Sequence, residues 1–308
     1  MEGMQEDSST TAPPAEYCYR HPTEATRVHC TRCGRPICTA CMIPAPVGHQ
    51  CPECVEQARR EFRQTPAGRT QRRLRPPSGL SATRVILVIL FAAYFVEIYE
   101  GGPNSIITGP SGQVLFNLGA MAPIAVAAGQ WWRLFTATLL HAGILHIGLN
   151  AWALWIFGGL VENTFGRRKF VTIYVVSAFL GSATSYAFGP VLSLGVGASG
   201  AIVGLFGAFI AYNVRRRHVA SAMGNLRWAA TIILINAVLG FGFSGIDWRA
   251  HVGGLLAGAA VGAALDESGP RQYRSVIAIA GTVGVILVGI VLVMWRTNQL
   301  APLVPASF

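Results

Sequence analysis

Charge is scarce in this chain. Only 12% of its 308 residues are Asp, Glu, Lys or Arg, about half the share usual in a soluble globular chain. At 52% hydrophobic residues and a mean hydropathy of +0.45, too little polar surface remains to clothe a water-soluble globule, which excludes that class for most of the chain. Acid is scarcer than base: 14 Asp and Glu stand against 24 Lys and Arg, a formal net charge of +10. Lysine is represented by Lys169 alone, and no cysteine follows Cys54, so disulfides cannot staple the remainder. The stretch up to residue 80 also lacks the apolar core of a cleavable signal peptide. The first apolar span is therefore expected to be the insertion signal.

What the chain does have is apolar runs of membrane-crossing length, roughly 17 to 25 residues each. They are read at 84–100, 143–162, 169–188, 198–214, 228–243, 250–266 and 275–295. The third, with Phe170, Ile173, Val175 and Leu180, is the clearest; the second is diluted by His146 and Asn150. Arg59, Arg60, Arg63, Arg69, Arg72, Arg73 and Arg75 precede the first span. Arg167, Arg168 and Lys169 follow the second, and Arg215, Arg216, Arg217 and Arg227 follow the fourth. A chain threading back and forth puts all of them on one side. The N-terminus is then cytoplasmic, the connection 101–142 outside, and the tail from Arg296 to Phe308 extracytoplasmic. Topology and anionic headgroups account for the positive charge, so no nucleic-acid partner is expected. The arginine-rich, lysine-poor usage suits a bacterial plasma membrane. The expected layout is a disordered tail (1–16), a metal module (17–56), a basic linker with Pro66, Pro76 and Pro77 (57–80), a seven-span all-α membrane domain (81–296) and a short tail (297–308).

The cysteines form a pattern. Cys18 and His21, Cys30 and Cys33, Cys38 and Cys41, and Cys51 and Cys54 are four pairs, each with two intervening residues. That spacing lets both side chains of a pair face one ion, and eight ligands satisfy two tetrahedral zinc sites. A disulfide framework conflicts with a reducing cytoplasm. The pairs join either in sequence or interleaved, and His29 or His49 could replace a neighbouring cysteine. A module of this size buries too little apolar surface to fold unaided, so the two structural zinc ions would supply most of its stability. Docking to a cytoplasmic protein partner, or regulation, is its expected role.

Polar residues inside apolar spans are costly, and each needs a partner or a purpose. Four stand out: His146, Asn150, Ser199 and His251. His146 and Asn150, four apart, share a helical face. Ser199 lies between Ala198 and Gly200 at an expected helix N-terminus, where free N–H groups and the positive dipole end favour a developing oxyanion. His251 opens the sixth span at the same outer level, so the two can meet. Gly200 and Gly204 on the fourth span, and Gly254 and Gly258 on the sixth, allow nearly backbone-to-backbone packing. A lone serine there is usually a cap and a lone histidine a structural partner. Together they make a nucleophile and its base. Asp247, four residues before His251, is the nearest acid and belongs to the outer loop.

The constellation resembles the rhomboid family of intramembrane serine proteases over about Gly129 to Gly258. Trp132-Arg133 matches its Trp-Arg motif; His141, His146 and Asn150 its His-x4-His-x3-Asn; Gly158, Glu162 and Gly166 its Gly-x3-Glu-x3-Gly. Gly197 to Gly200 match its Gly-x-Ser-Gly, and Ala250, His251, Gly254 and Gly258 its Ala-His-x2-Gly-x3-Gly. The resemblance implies a six-helix bundle, here with one extra C-terminal span, in which Ser199 is nucleophile and His251 general base, with no cofactor in catalysis. His146, Asn150 and the Ser199 N–H would hold the oxyanion, while Trp132, Arg133, His141 and Glu162 would be structural. It further implies transmembrane protein substrates cut in or beside easily unwound helices, and a water-filled cavity gated by the span Trp228 to Phe243 and a cap loop near His251 or at 190–196. Where the family commonly packs an aromatic residue on the catalytic histidine, this chain has Val203, and Phe206 is the candidate to fill the gap. The rival reading is a non-proteolytic relative that binds membrane clients; a transporter would need more buried carboxylates. The cysteine-rich stretch resembles a B-box-type zinc finger, which implies the interleaved pairing.

Overall fold

The computed structural model describes residues 16–65, 81–242, 246–268 and 271–305, with side chains except at 233–242. The chain divides between Arg75 and Pro76 into two compact units.

The N-terminal unit contains two short antiparallel ribbons. Strands β1 (Glu16–Tyr17) and β2 (Ala25–Thr26) pair Glu16 with Thr26; β3 (Ile43–Pro44) and β4 (His49–Gln50) pair Ile43 with Gln50. Its buried residues are six cysteines' worth of sulfur and Ile37, with Tyr19, Val28 and Met42 packed alongside; only Cys33 is exposed among the thiols. Helix α1 (Pro52–Gln64) starts where Cys51 caps it, accepting from the Cys54 N–H at 3.4 Å, and Pro52 supplies a preset φ in the first turn. It runs through Gln64, into the stretch expected to be linker. Glu56 pairs with Arg60 and Gln57 with Glu61 at the four-residue spacing that supports a helix, and Arg32, far upstream, anchors Glu61 at 2.8 Å. Residues 66–80 of that linker, and 1–15 of the expected tail, lie outside the described residues.

Among its described residues the second unit is built from helices. Helix α2 (Ala82–Gly101) leads into a connection carrying α3 (Ser105–Thr108), α4 (Gly112–Leu118), α5 (Pro123–Ala127) and α6 (Arg133–Thr136). Helix α7 (Ile144–Ala153) passes through a π-turn at Leu154–Gly158 into α8 (Gly159–Phe165). Then come α9 (Arg167–Phe188), α10 (Ser199–Val214), α11 (Ala220–Gly242), α12 (Trp248–Leu265) and α13 (Arg274–Leu300). Each expected span coincides with one of these long helical stretches. Among the described residues, four stretches are long and apolar enough to cross a membrane: Ala82–Gly101, Ile144–Phe165, Arg167–Phe188 and Arg271–Leu303. Helix α10 is apolar but shorter. Its partners are protein rather than lipid: nearly every residue from Gly200 to Phe209 is buried.

Three helices, α9, α10 and α12, form the centre, and small residues set their spacing. A Cβ on Gly254 would collide with the Gly200 carbonyl oxygen, and one on Gly258 with that of Gly204. Gly181 of α9 sits close to the Ala250 carbonyl, where a Cβ would lie 2.9 Å from the oxygen. The contacts step in parallel register, Gly200 with Gly254 and Gly204 with Gly258, so α10 and α12 begin at the same end of the bundle. At the opposite end, Asp266 receives a two-pronged ion pair from Arg216 at 2.9 Å, and Lys169 reaches Glu267 at 2.8 Å.

Helix α13 buries little beyond Gly289 and Leu300, yet it is tied down. Gly289 faces the Phe179 ring, Thr297 meets the Tyr186 hydroxyl at 2.9 Å, and Arg296 donates to the Gly189 carbonyl at 3.1 Å. These contacts carry the helix past the expected boundary at 296 to Leu300.

Candidate active site and metal clusters

Ser199 is the first residue of α10, with Ala198 at the cap position. The N–H groups of a first helical turn have no partner within the helix. The strand of chain before it is pinned twice. Gly195 and Met121 exchange both backbone hydrogen bonds, at 2.8 and 3.0 Å, and the Gly197 N–H donates to the Ala137 carbonyl at 2.9 Å. Gly197 has φ +122°, a conformation only glycine adopts without strain. A side chain there would also strike His146, whose Nε2 lies 2.8 Å from the Cβ position; Ser199 Oγ lies 3.8 Å from the same point. Nε2 of His146 therefore borders the space in front of Ser199.

His146 has a defined tautomer. Its Nδ1 is 3.2 Å from the Ala142 N–H, and a backbone N–H can only donate. Nδ1 is the acceptor, so the neutral ring carries its proton on Nε2. That Nε2–H is a donor on the Ser199 side. Asn150 is buried and gives one amide hydrogen to the His146 carbonyl at 2.9 Å, leaving a second for another acceptor.

His251 lies in the first turn of α12, close to α10. The neighbours of the two residues touch: the Gly200 Cβ position is 3.2 Å from the Ala250 carbonyl and 3.7 Å from its Cβ. Asp247 caps α12, accepting from the Arg249 and Ala250 N–H groups at 3.2 Å, and its other oxygen takes the Ser185 hydroxyl of α9. The acid thus fastens the first turn of the helix that carries His251. Val203 is half-buried. The Phe206 ring packs on Phe157 at 4.8 Å and on Trp228.

The surrounding motif residues have structural partners. Arg133 is buried, donates to the Phe116 and Ala120 carbonyls at 2.7 and 2.9 Å, and lies over the Phe116 and Trp132 rings. Glu162 sits at the start of α2, accepting from Ser81, Ala82 and Thr83 at 2.6 to 2.9 Å. His141 is fully buried in the loop before α7; its Nδ1–H donates to the Leu139 carbonyl at 3.1 Å. Burial and the nearby His146 push its imidazole down to about 3, so it stays neutral. One buried acid escaped the sequence reading. Glu97 of α2 is 0% exposed and takes the His141 N–H at 2.9 Å. A carboxylate within an apolar span was the available signal, masked by Glu100 nearby, which reads as a headgroup-level end.

In the N-terminal unit, the side chains converge in interleaved pairs: Cys18, His21, Cys38 and Cys41 in one cluster, and Cys30, Cys33, Cys51 and Cys54 in the other. The donor atoms of each lie within 4.8 Å of one another. Either cluster could hold a metal ion. The fit is close: Zn–S bonds of about 2.3 Å in a tetrahedron put sulfurs roughly 3.8 Å apart, and Cys33 and Cys51 are 3.7 Å apart. Nδ1 of His21 faces the sulfurs of Cys38 and Cys41 at 3.2 and 3.4 Å. The Arg35 guanidinium holds the Cys33 thiol below its usual range. His29 instead pairs with Glu16 at 2.5 Å, and neither it nor His49 joins a cluster.

Residues 128–268 match the Rhomboid domain family. The chain is 36% identical to the rhomboid protease GluP of Bacillus subtilis over 64% of its own length but only 38% of GluP's. A second Bacillus subtilis relative, YdcA, is 32% identical over 49% of this chain and 75% of its own length. The rhomboid protease AarA of Providencia stuartii is 27% identical, with 59% and 72% covered.

Proposed function

This chain belongs to the rhomboid family and is an integral membrane protein, and from that premise we propose that it is an intramembrane serine endopeptidase. The carrying observation is the His146 tautomer: an imidazole Nε2–H aimed at the space before a serine that opens a helix is an oxyanion donor waiting for a tetrahedral carbonyl. In this reading the Ser199 Oγ attacks a substrate carbonyl and its proton passes to His251. The oxyanion is held by His146 Nε2–H, the Ser199 N–H and the free amide hydrogen of Asn150. The imidazolium then protonates the leaving amine, and water repeats the sequence on the acyl-enzyme. Substrates are membrane proteins whose spans unwind readily near the outer surface, since an intact helix hides its scissile carbonyl. The arginine-rich connections favour a cytoplasmic N-terminus and an extracytoplasmic C-terminus, in a bacterial plasma membrane.

The two N-terminal clusters would hold zinc, which supplies fixed tetrahedral bonds to a unit with little apolar core. That module would dock a cytoplasmic partner. The test of the protease reading is cleavage of single-span substrates in liposomes by the purified protein beside Ser199→Ala and His251→Ala. Cleavage lost in both variants supports it. A folded but inert unsubstituted protein, across several substrates, overturns it in favour of client binding.

A further inference from the structure

Glu97 is a fully buried carboxylate in a membrane helix, and nothing in the reaction just described uses it. Both of its oxygens accept from one group, the His141 N–H, at 3.1 and 2.9 Å. A buried acid is costly in such a place, and an acid that serves only to join two helices would ordinarily gather more donors, as Glu162 does. What distinguishes its single partner is its position. His141 immediately precedes Ala142, whose N–H fixes the His146 tautomer. The His141 and His146 rings also meet edge-on at 5.2 Å. The same short loop is hemmed from its other side by the α3 connection: a Cβ on Gly143 would lie 3.2 Å from the Ile107 carbonyl.

We propose that Glu97 is a positioning residue for the oxyanion donor: by holding the 141–142 peptide segment, it keeps the Ala142 N–H on His146 Nδ1 and so keeps the proton on Nε2, toward Ser199. The inference rests on the protease reading. Two peptides and one ring link the carboxylate to the reacting carbonyl. Without the tether the loop is free to rotate the Ala142 N–H away. The imidazole then samples the Nδ1–H tautomer, which presents a lone pair, not a donor, to the oxyanion.

The test is a cycle of cleavage assays on the full-length protein. Glu97→Gln keeps an acceptor oxygen and should stay within about threefold of the unsubstituted enzyme, whereas Glu97→Leu should lower kcat roughly tenfold to a hundredfold with KM little changed, the scale of one buried hydrogen bond lost. In a His146→Ala background Glu97→Leu should add less than about twofold, because the residue it acts through is gone. Histidine-labelled nitrogen NMR reads the tautomer directly, with Nε2–H in the unsubstituted protein and a mixture in Glu97→Leu. Full activity in Glu97→Leu, or an equal loss with and without His146, overturns the proposal. Should Glu97→Leu not fold, Glu97→Asp, which withdraws the acceptor by one methylene, carries the same cycle. An inert unsubstituted protein would instead count against the protease reading itself.

Discussion

In the N-terminal unit the buried core is made of cysteines around a single isoleucine, whereas in the membrane unit the closest contacts are made where there is no side chain at all, Gly200 on Gly254 and Gly204 on Gly258. Both units lack what holds an ordinary soluble domain together. The first has too few residues to bury enough apolar area. The second gains nothing by moving leucine from lipid to protein, since both are equally apolar. The first answers with two clusters of donor side chains that could hold metal ions, the second with close backbone packing and a few buried polar tethers. The two therefore differ in what can destroy them.

Metal removal is the harshest test. Structural zinc contributes on the order of 10 kcal/mol to small modules, so a strong chelator should melt the N-terminal unit, seen as rapid proteolysis before residue 65, while the helical signal of the membrane unit persists. Interleaving sharpens this. Because each cluster draws ligands from both halves of the module, Cys38→Ser and Cys51→Ser should each weaken both sites, and cobalt spectra should distinguish a three-sulfur, one-nitrogen site from a four-sulfur one. Loss of both units together on chelation would mean they do not fold independently.

The reverse disruption comes next. Gly258→Leu puts a side chain inside the Gly204 carbonyl, where no rotamer can relieve the clash, and should cost several kcal/mol, at or beyond the upper end of ordinary overpacking. Thermal melting in detergent would show it, with metal content untouched. Gly148 is the control: nothing lies within 4 Å of its Cβ position, so Gly148→Ala should be neutral or stabilising by about 0.5–1 kcal/mol.

Much of this was legible in the sequence for the same physical reason in both units: spacing. Two-residue gaps between ligands, four-residue gaps between glycines, and apolar runs of membrane length are local patterns, and all correspond to features of the structure. What was not legible depends on partners distant in sequence. Interleaving of the clusters followed only from resemblance, because four pairs can join in more than one way. Glu97 could not be paired with the His141 N–H from spacing, nor could Phe206 be assigned to Phe157 and Trp228. Helix α1 runs past the expected module boundary at 56 with the help of Arg32, far upstream, which anchors Glu61. Asp247 reads as an outer-loop residue until the start of α12 is known, and there it is the cap.

That cap gives a milder experiment on the membrane unit. Asp247→Ala removes the acceptor for two N–H groups and for Ser185, and should cost about 1 kcal/mol together with a fall in cleavage rate, as the first turn bearing His251 loosens. Asp247→Asn retains a capping oxygen and should restore most of both. Equal loss in the two variants would mean that the charge, and not the cap, is what matters.

The smallest effect lies at the far end of α10 and α12, where ions replace glycines as the fastening. Burial alone would raise the Asp266 pKa, but the hydrogen bonds from Arg216, with help from Ser268, win and hold it below the usual carboxylate value. A carboxylate depressed in the folded state stabilises the fold at pH values above its unfolded pKa of about 3.9, and that contribution disappears as pH falls through the lower folded value. Because the Arg216 side chain is 29% exposed, solvent limits the pair to roughly 1–2 kcal/mol. Arg216→Gln should therefore lower the melting temperature at pH 7 and converge on the unsubstituted protein as the pH falls below the ordinary carboxylate range, while Gly258→Leu, a steric fault, stays equally damaging throughout. A constant offset for Arg216→Gln at all pH values would mean that the arginine acts through packing on Tyr212, which lies 3.7 Å beneath it, and that close packing rather than charge fastens both ends of the central helix pair.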